Sequence, residues 1–175
     1  METTEKIVES YCRYVKGWFT IPNIKCARQY EIDLLAVEHL ASGEINRYHV
    51  ESGVSISGGY SKLTAHTYSA KQLKIRVQQA KQRRTVGYFI ERKFGADEVK
   101  KELSKYGFCP GNYKKIIVSW GWTDEAKTQA DKAKIILWDF RGLLKEIASM
   151  SKDKKTYFTD DTLRTIQLFK KADIY

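Results

Sequence analysis

No stretch of this chain is apolar for long enough to span a bilayer, and the amino terminus, Met1-Glu2-Thr3-Thr4-Glu5-Lys6, lacks the character of a signal peptide. A soluble, cytoplasmic protein with no membrane partner is therefore expected. Cysteine is scarce. Cys12, Cys26 and Cys109 are odd in number, form no C-x-x-C pair and have no histidine at metal-binding spacing, which argues for reduced thiols and against a zinc site. Internal repeats and low-complexity tracts are missing too. Acidic residues are the minority charge, 21 against 31 basic, and the resulting formal charge of +10 attracts polyanions, with nucleic acid first among them. At 175 residues the chain reads as a single domain, 1–175, large enough to bury its own core without staples.

The pattern of apolar residues sets the expected order of elements. A helix over Thr4 to Lys16 carries Ile7, Tyr11, Tyr14 and Val15 at helical spacing and stops at Gly17. Trp18-Phe19-Thr20-Ile21 opens a first strand, and Pro22 and Asn23 turn the chain. Two further strands follow as a hairpin, then a loop at Ser57-Gly58-Gly59-Tyr60-Ser61 and a long helix over Ser69 to Arg84 that Gly87 ends. A second helix is expected from Ala96 to Tyr106. The apolar runs Lys115 to Trp120 and Ile135 to Trp138 read as buried strands. Thr123 caps the helix between them, which shows a thin face of Ala126, Ala130 and Ala133. Asp139 caps a helix to Met150, and Thr159 caps a last one with Leu163, Ile166 and Phe169 turned inward. Strands gathered early and alternating with helices later predict an α/β chain with a central mixed sheet and helices on both faces.

The hairpin holds the residues with chemical promise. Tyr30-Glu31-Ile32-Asp33-Leu34-Leu35-Ala36-Val37 and Arg47-Tyr48-His49-Val50-Glu51-Ser52-Gly53 each place a carboxylate in an apolar run, and the turn Ala41-Ser42-Gly43-Glu44 lets them pair. Alternation puts Tyr48, Val50 and Ser52 on one face, read as core, and Arg47, His49, Glu51 and Gly53 on the other, read as a polar site. Asp33 and Glu51 then approach each other, and two semi-buried carboxylates repel unless a proton or a cation lies between them. Oxygen ligands of this kind suit Mg²⁺ or Mn²⁺. The plainer reading has Asp33 at a strand end and Glu51 pointing to solvent. A basic stripe of Lys71, Lys74, Arg76, Lys81, Arg83 and Arg84, preceded by Lys62, either faces phosphates beside the carboxylates or forms a solvated helix face.

Together these pieces resemble the PD-(D/E)xK nuclease superfamily, and within it the Mrr-like and Holliday junction resolvase-like proteins. Glu5 or Glu9 precedes Gly17, Glu31-Ile32-Asp33-Leu34-Leu35-Ala36 matches the family's first acidic strand, and His49-Val50-Glu51-Ser52-Gly53 occupies the second. Trp120-Gly121-Trp122-Thr123-Asp124-Glu125-Ala126 and Ile135-Ile136-Leu137-Trp138-Asp139 extend the likeness towards the carboxyl terminus. The resemblance implies a restriction endonuclease-like three-layer α/β/α fold and a metal-dependent endonuclease acting on duplex or branched DNA, possible as a homodimer. Asp33, Glu51 and a backbone carbonyl near Ser52 would hold the metal, and Glu5 or Glu9 would complete the site. One departure stands out: Gly53 occupies the place of the family's catalytic lysine. A lysine can migrate to the following helix in this superfamily, which nominates Lys71 or Lys74, and then Lys62, to enter open space beside Gly53. The alternatives are a catalytically inactive nuclease-fold protein that binds nucleic acid or acts as an assembly subunit, and an RNA binder using Tyr60, Tyr68 and Trp122. His49 is a candidate substrate contact or a structural histidine.

The charge alone generates one measurable expectation. DNA affinity should fall steeply with salt, with a log–log slope of about −0.9 per phosphate contacted. Fluorescence anisotropy on duplex and branched DNA across a salt series checks it, and absence of binding at low salt removes nucleic acid as partner.

Overall fold

The computed structural model describes residues 2–54, 62–65, 83–153 and 160–172. Helix α1 (Thr3–Ser10) continues as a π-helical turn, Tyr11–Val15, and Gly17 follows with φ of +72°, the conformation that ends the helix where the sequence pattern expects it. Strands β1 (Phe19–Lys25), β2 (Glu31–His39) and β3 (Ile45–Ser52) form an antiparallel meander. Helix α2 (Val86–Tyr88) runs directly into a second π-helical turn, Phe89–Phe94, and α3 spans Asp97–Lys105. Strand β4 (Lys114–Ser119), helix α4 (Asp124–Lys132), strand β5 (Ile135–Asp139), and helices α5 (Phe140–Asp153) and α6 (Asp161–Ala172) complete the described chain.

The five strands lie in sequence order in one open sheet, antiparallel from β1 to β3 and parallel from β3 to β5. Alternate residues of the sheet go to different cores. Leu34, Val50, Ile116 and Val118 pack with Val8 and Tyr11 from the amino-terminal helix and Leu143, Ile147 and Leu163 from α5 and α6. Ile117 packs instead with Phe89, Phe94, Ala126 and Ala130, while Leu35 joins Val99 and Leu103 of α3. Helices therefore cover both faces, and the chain is α/β with a mixed sheet. Among the described residues no helix is long and apolar enough to cross a membrane.

Several local expectations are corrected. Pro22 and Asn23 do not turn the chain, since β1 runs through both. Proline is tolerated there because β1 is an edge strand that pairs only with β2, and Asn23 absorbs a local kink at φ of +55°. Gly87 does not end a helix but lies buried in the first turn of α2, which begins when the Thr85 side chain accepts a hydrogen bond from the Tyr88 N–H. In α6 the capping acceptor is Asp160, bonded by the Leu163 N–H at 3.0 Å, and Phe169 faces solvent at 71% exposure while Leu163 and Ile166 turn inward. Thr159, the loop at 57–61 and the helix expected over 69–82 lie outside the described residues.

The Thr123 cap behaves as the pattern predicts: its hydroxyl accepts the Ala126 N–H at 3.2 Å, and Ala126 and Ala130 sit fully buried against the second core. Thr123→Ala should lower stability by about 1 kcal/mol in urea titrations with an unchanged m-value.

Candidate functional site

Antiparallel pairing of Leu34 with Val50 and Leu35 with His49 carries on to the ends of β2 and β3, where Asp33 and Glu51 come together. The Asp33 carboxylate accepts the Ser52 N–H at 2.8 Å, and a longer contact of 3.4 Å runs from the Asp33 N–H to Glu51 Oε1. Neither acid points to solvent: Asp33 is 7% exposed and Glu51 is fully buried. The face read as an open polar site is in fact roofed by the π-turn Phe89–Phe94, and His49 is fully buried under it, so His49 cannot touch a substrate.

That turn supplies the residue that sequence reasoning missed. The Lys93 ammonium stands 2.8 Å from Asp33 Oδ1 and 2.5 Å from Glu51 Oε2, and donates also to the Glu31 carbonyl at 3.3 Å. Gly53 leaves no open space beside Glu51. A Cβ there would meet the Phe89 ring at 3.1 Å, and Phe89 is packed at 1% exposure, so a lysine side chain cannot start from position 53 without displacing it. The signal for Lys93 was present in the spacing of Val86, Phe89 and Phe94 behind the Thr85 cap, which wraps an apolar face around Arg92-Lys93. Reading Gly87 as a stop concealed it.

Two buried carboxylates face one ammonium, and their protonation shows the imbalance. Burial, reinforced by the neighbouring Glu51 charge, pushes Asp33 up to about 7 in spite of Lys93. Burial raises Glu51 as well, against the pull of Lys93. Burial alone would lower the Lys93 ammonium, but Glu51 and Asp33 hold it above its ordinary value. His49 is pushed down to about 3 by burial and is neutral.

Asp33 and Lys93 line a cleft of about 340 Å³ together with Glu5, Glu31, Ser52, Gly53, Arg83 and Arg84, while the fully buried Glu51 is not part of its lining. Of the two amino-terminal acids, Glu5 reaches this cleft. Burial, and then the Asp33 and Glu31 charges, raise it, while its carboxylate accepts the Glu2 N–H at 2.9 Å. Glu9 does not line the cleft and instead accepts the Thr20 hydroxyl at 3.2 Å beside Arg13. Lys62 is exposed next to Gly121, away from the cleft lining. Lys71, Lys74, Arg76 and Lys81, with Tyr60 and Tyr68, lie outside the described residues. Trp122 is partly buried, packed against the second core. The cysteines are free, as expected. Among the described residues no group of three or more His, Cys, Asp or Glu side chains stands at metal-holding spacing. Of the two buried acids, Asp33 lines the cleft and Glu51 does not.

Neither a family model nor a curated protein matches the chain. A crystal structure described as a protein of unknown function, AF1548, superposes with a TM-score of 0.50 over 99% of this chain and 98% of that one, at 14% identity. That likeness carries the fold and nothing more.

Removing the ammonium tests the charge balance directly. Lys93→Met should cost about 3–5 kcal/mol at pH 8, because two buried carboxylates lose their counter-charge. With folded-state values above the unfolded ones, both acids bind protons more readily in the folded protein, so stability falls as pH rises through that interval. The deficit against wild type should therefore shrink as pH drops from 8 towards 5, where the acids neutralise themselves. Urea titrations at a series of pH values check this.

Proposed function

We propose that this chain is a metal-dependent endonuclease of restriction endonuclease-like fold that hydrolyses phosphodiester bonds in DNA, with Lys93 in the role that the resemblance gives to a lysine at position 53. The observation that carries the reading is the ammonium of Lys93 seated on both Asp33 and Glu51 at the wall of a cleft that Arg83 and Arg84 also line. The principal reason to read the chain as a lost enzyme was the missing cation at Gly53, and Lys93 removes it. Support for the fold comes from the mixed sheet with helices on both faces and from the position of the acids at the adjoining ends of β2 and β3.

The residues fit a divalent cation on chemical grounds. The buried cluster holds two carboxyl groups against one ammonium, and burial, with the neighbouring Glu51 charge, holds Asp33 up to about 7. Mg²⁺ characteristically takes one or two carboxylates and fills its remaining positions with water and substrate oxygens, so a pair of acids suffices. Asp33 and Glu51 would hold Mg²⁺ or Mn²⁺, which when bound supplies an acidified water and a polarised phosphate. The chain's own groups do the rest. Arg83 and Arg84 offset phosphate charge along the cleft. Lys93 is held rigidly by three oxygen acceptors, so its positive charge is already in place to stabilise charge developing on the scissile phosphate. Glu5, raised above an ordinary glutamate by burial, lies on the same cleft and would be the acid placed to take up or give a proton there.

Cleavage of supercoiled and branched DNA with Mg²⁺ and Mn²⁺ tests this. Asp33→Ala should abolish activity and Lys93→Ala should lower it by about 10²-fold or more, with DNA affinity kept. Lack of cleavage by the wild type with either ion, alongside salt-sensitive DNA binding, would instead make it a binding or assembly protein.

A further inference from the structure

We propose that His49 is a positioning residue for this site: it grips one oxygen of Glu51 from behind and so fixes the other towards Lys93. The inference rests on the reading of Asp33, Glu51 and Lys93 given above and adds a residue that reading does not use. His49 and Glu51 are two apart on β3 and share a face, and His49 Nε2 lies 2.6 Å from Glu51 Oε1. Both side chains are fully buried, so water does not compete for that contact. With Glu51 ionised, as its contact with the Lys93 ammonium favours, the hydrogen of this bond is on His49 Nε2. This tautomer leaves Nδ1 as a bare acceptor, and among the described residues Nδ1 has no hydrogen-bond partner. An orphaned buried acceptor is cheaper than an orphaned N–H, so the geometry selects the Nε2–H form.

The imidazole is itself held. Phe94 meets it edge-on, with ring centroids 4.8 Å apart and planes at 83°, and Tyr113 lies 6.3 Å away. Phe94 directly follows Lys93 in the π-turn. One turn thus presents an ammonium to Glu51 Oε2 and a ring that clamps the donor to Glu51 Oε1. A glutamate has three rotatable bonds, and pinning both of its oxygens leaves one carboxylate orientation. Simple packing would account for a buried ring at this position, but packing does not require a polar group with a short bond to the acid of the site.

Two variants separate positioning from packing. In His49→Gln the side-chain amide nitrogen reaches the place of Nε2 and can still donate to Glu51, whereas His49→Leu fills the space without a donor. Folding of both is checked by urea titration. His49→Leu should lower kcat about 10–100-fold with an unchanged KM for DNA, and should weaken Mn²⁺ binding, followed by the paramagnetic resonance signal of the free ion, by a similar factor. His49→Gln should stay within a few-fold of wild type in both. Equal loss in the two variants, or no loss in His49→Leu, overturns the proposal. If the wild type neither cleaves DNA nor binds Mn²⁺, the nuclease reading fails, and crystal structures of the variants still decide the role of His49. The Glu51 carboxylate should remain on Lys93 in His49→Gln and swing off it in His49→Leu, and an unmoved carboxylate in the latter refutes positioning.

Discussion

One ammonium shared between two buried carboxylates is the interaction on which the rest of this structure depends. Glu51 has no exposed side-chain surface and Asp33 shows only a small edge to the cleft, so neither acid is hydrated as a surface carboxylate is. Lys93 makes the arrangement tolerable without making it neutral. Replacing such a cluster by apolar residues is often neutral or stabilising in proteins generally, whereas removing one charge from it is costly. Its presence in the sheet core therefore has no explanation in stability, and the residual negative charge points to chemistry with a cation or a proton.

The architecture around the cluster follows from the need to deliver these groups to one point. Glu51 and Asp33 arrive by backbone pairing, since antiparallel register places cross-strand partners on the same face of the sheet. Lys93 comes from sixty residues after Asp33, on a π-turn that has no hydrogen bond to either strand within the sheet ladder. What fixes that turn is apolar packing: Phe89 against Gly53 and Ile117 beneath, and Phe94 against His49. A π-turn carries an extra residue compared with an α-helical one, and this spacing allows Phe89 and Phe94 to face the core while Lys93 reaches past them to the acids.

Much of this was legible in the sequence, and the failures have physical causes. The α/β class, the meander, the Thr123 cap and the proximity of Asp33 to Glu51 all follow from local patterns, namely strand period, turn chemistry and capping, which act over a few residues. Lys93 depends on a contact between distant segments: the spacing behind the Thr85 cap marks the apolar face beside it, but nothing local reports the acids it meets. Gly87 and Pro22 misled for a related reason. Both are read as breakers on intrinsic preference, yet the edge position of β1 spares Pro22 its missing N–H, and tertiary burial holds Gly87 inside a helix that its propensity alone disfavours. His49 was legible as a polar-face residue but not as a buried one, because alternation assigns a face and cannot say what covers it.

Gly53 and Lys93 are linked through the packing of Phe89. The backbone at position 53 is tied to β4 by the hydrogen bond from the Gly53 N–H to the Val118 carbonyl at 2.8 Å, and its side-chain direction runs straight into the Phe89 ring. A lysine there and a phenylalanine at 89 compete for the same volume. With Phe89 packed inward, a Cβ at position 53 would press on its ring at 3.1 Å, so a larger residue there requires Phe89 to shift, and the positive charge comes from the docked segment instead. Lys93 is the residue of that segment whose ammonium reaches both acids. The charge that faces the two acids is therefore placed by the packing of a distant segment and not by the residues beside Glu51 in sequence.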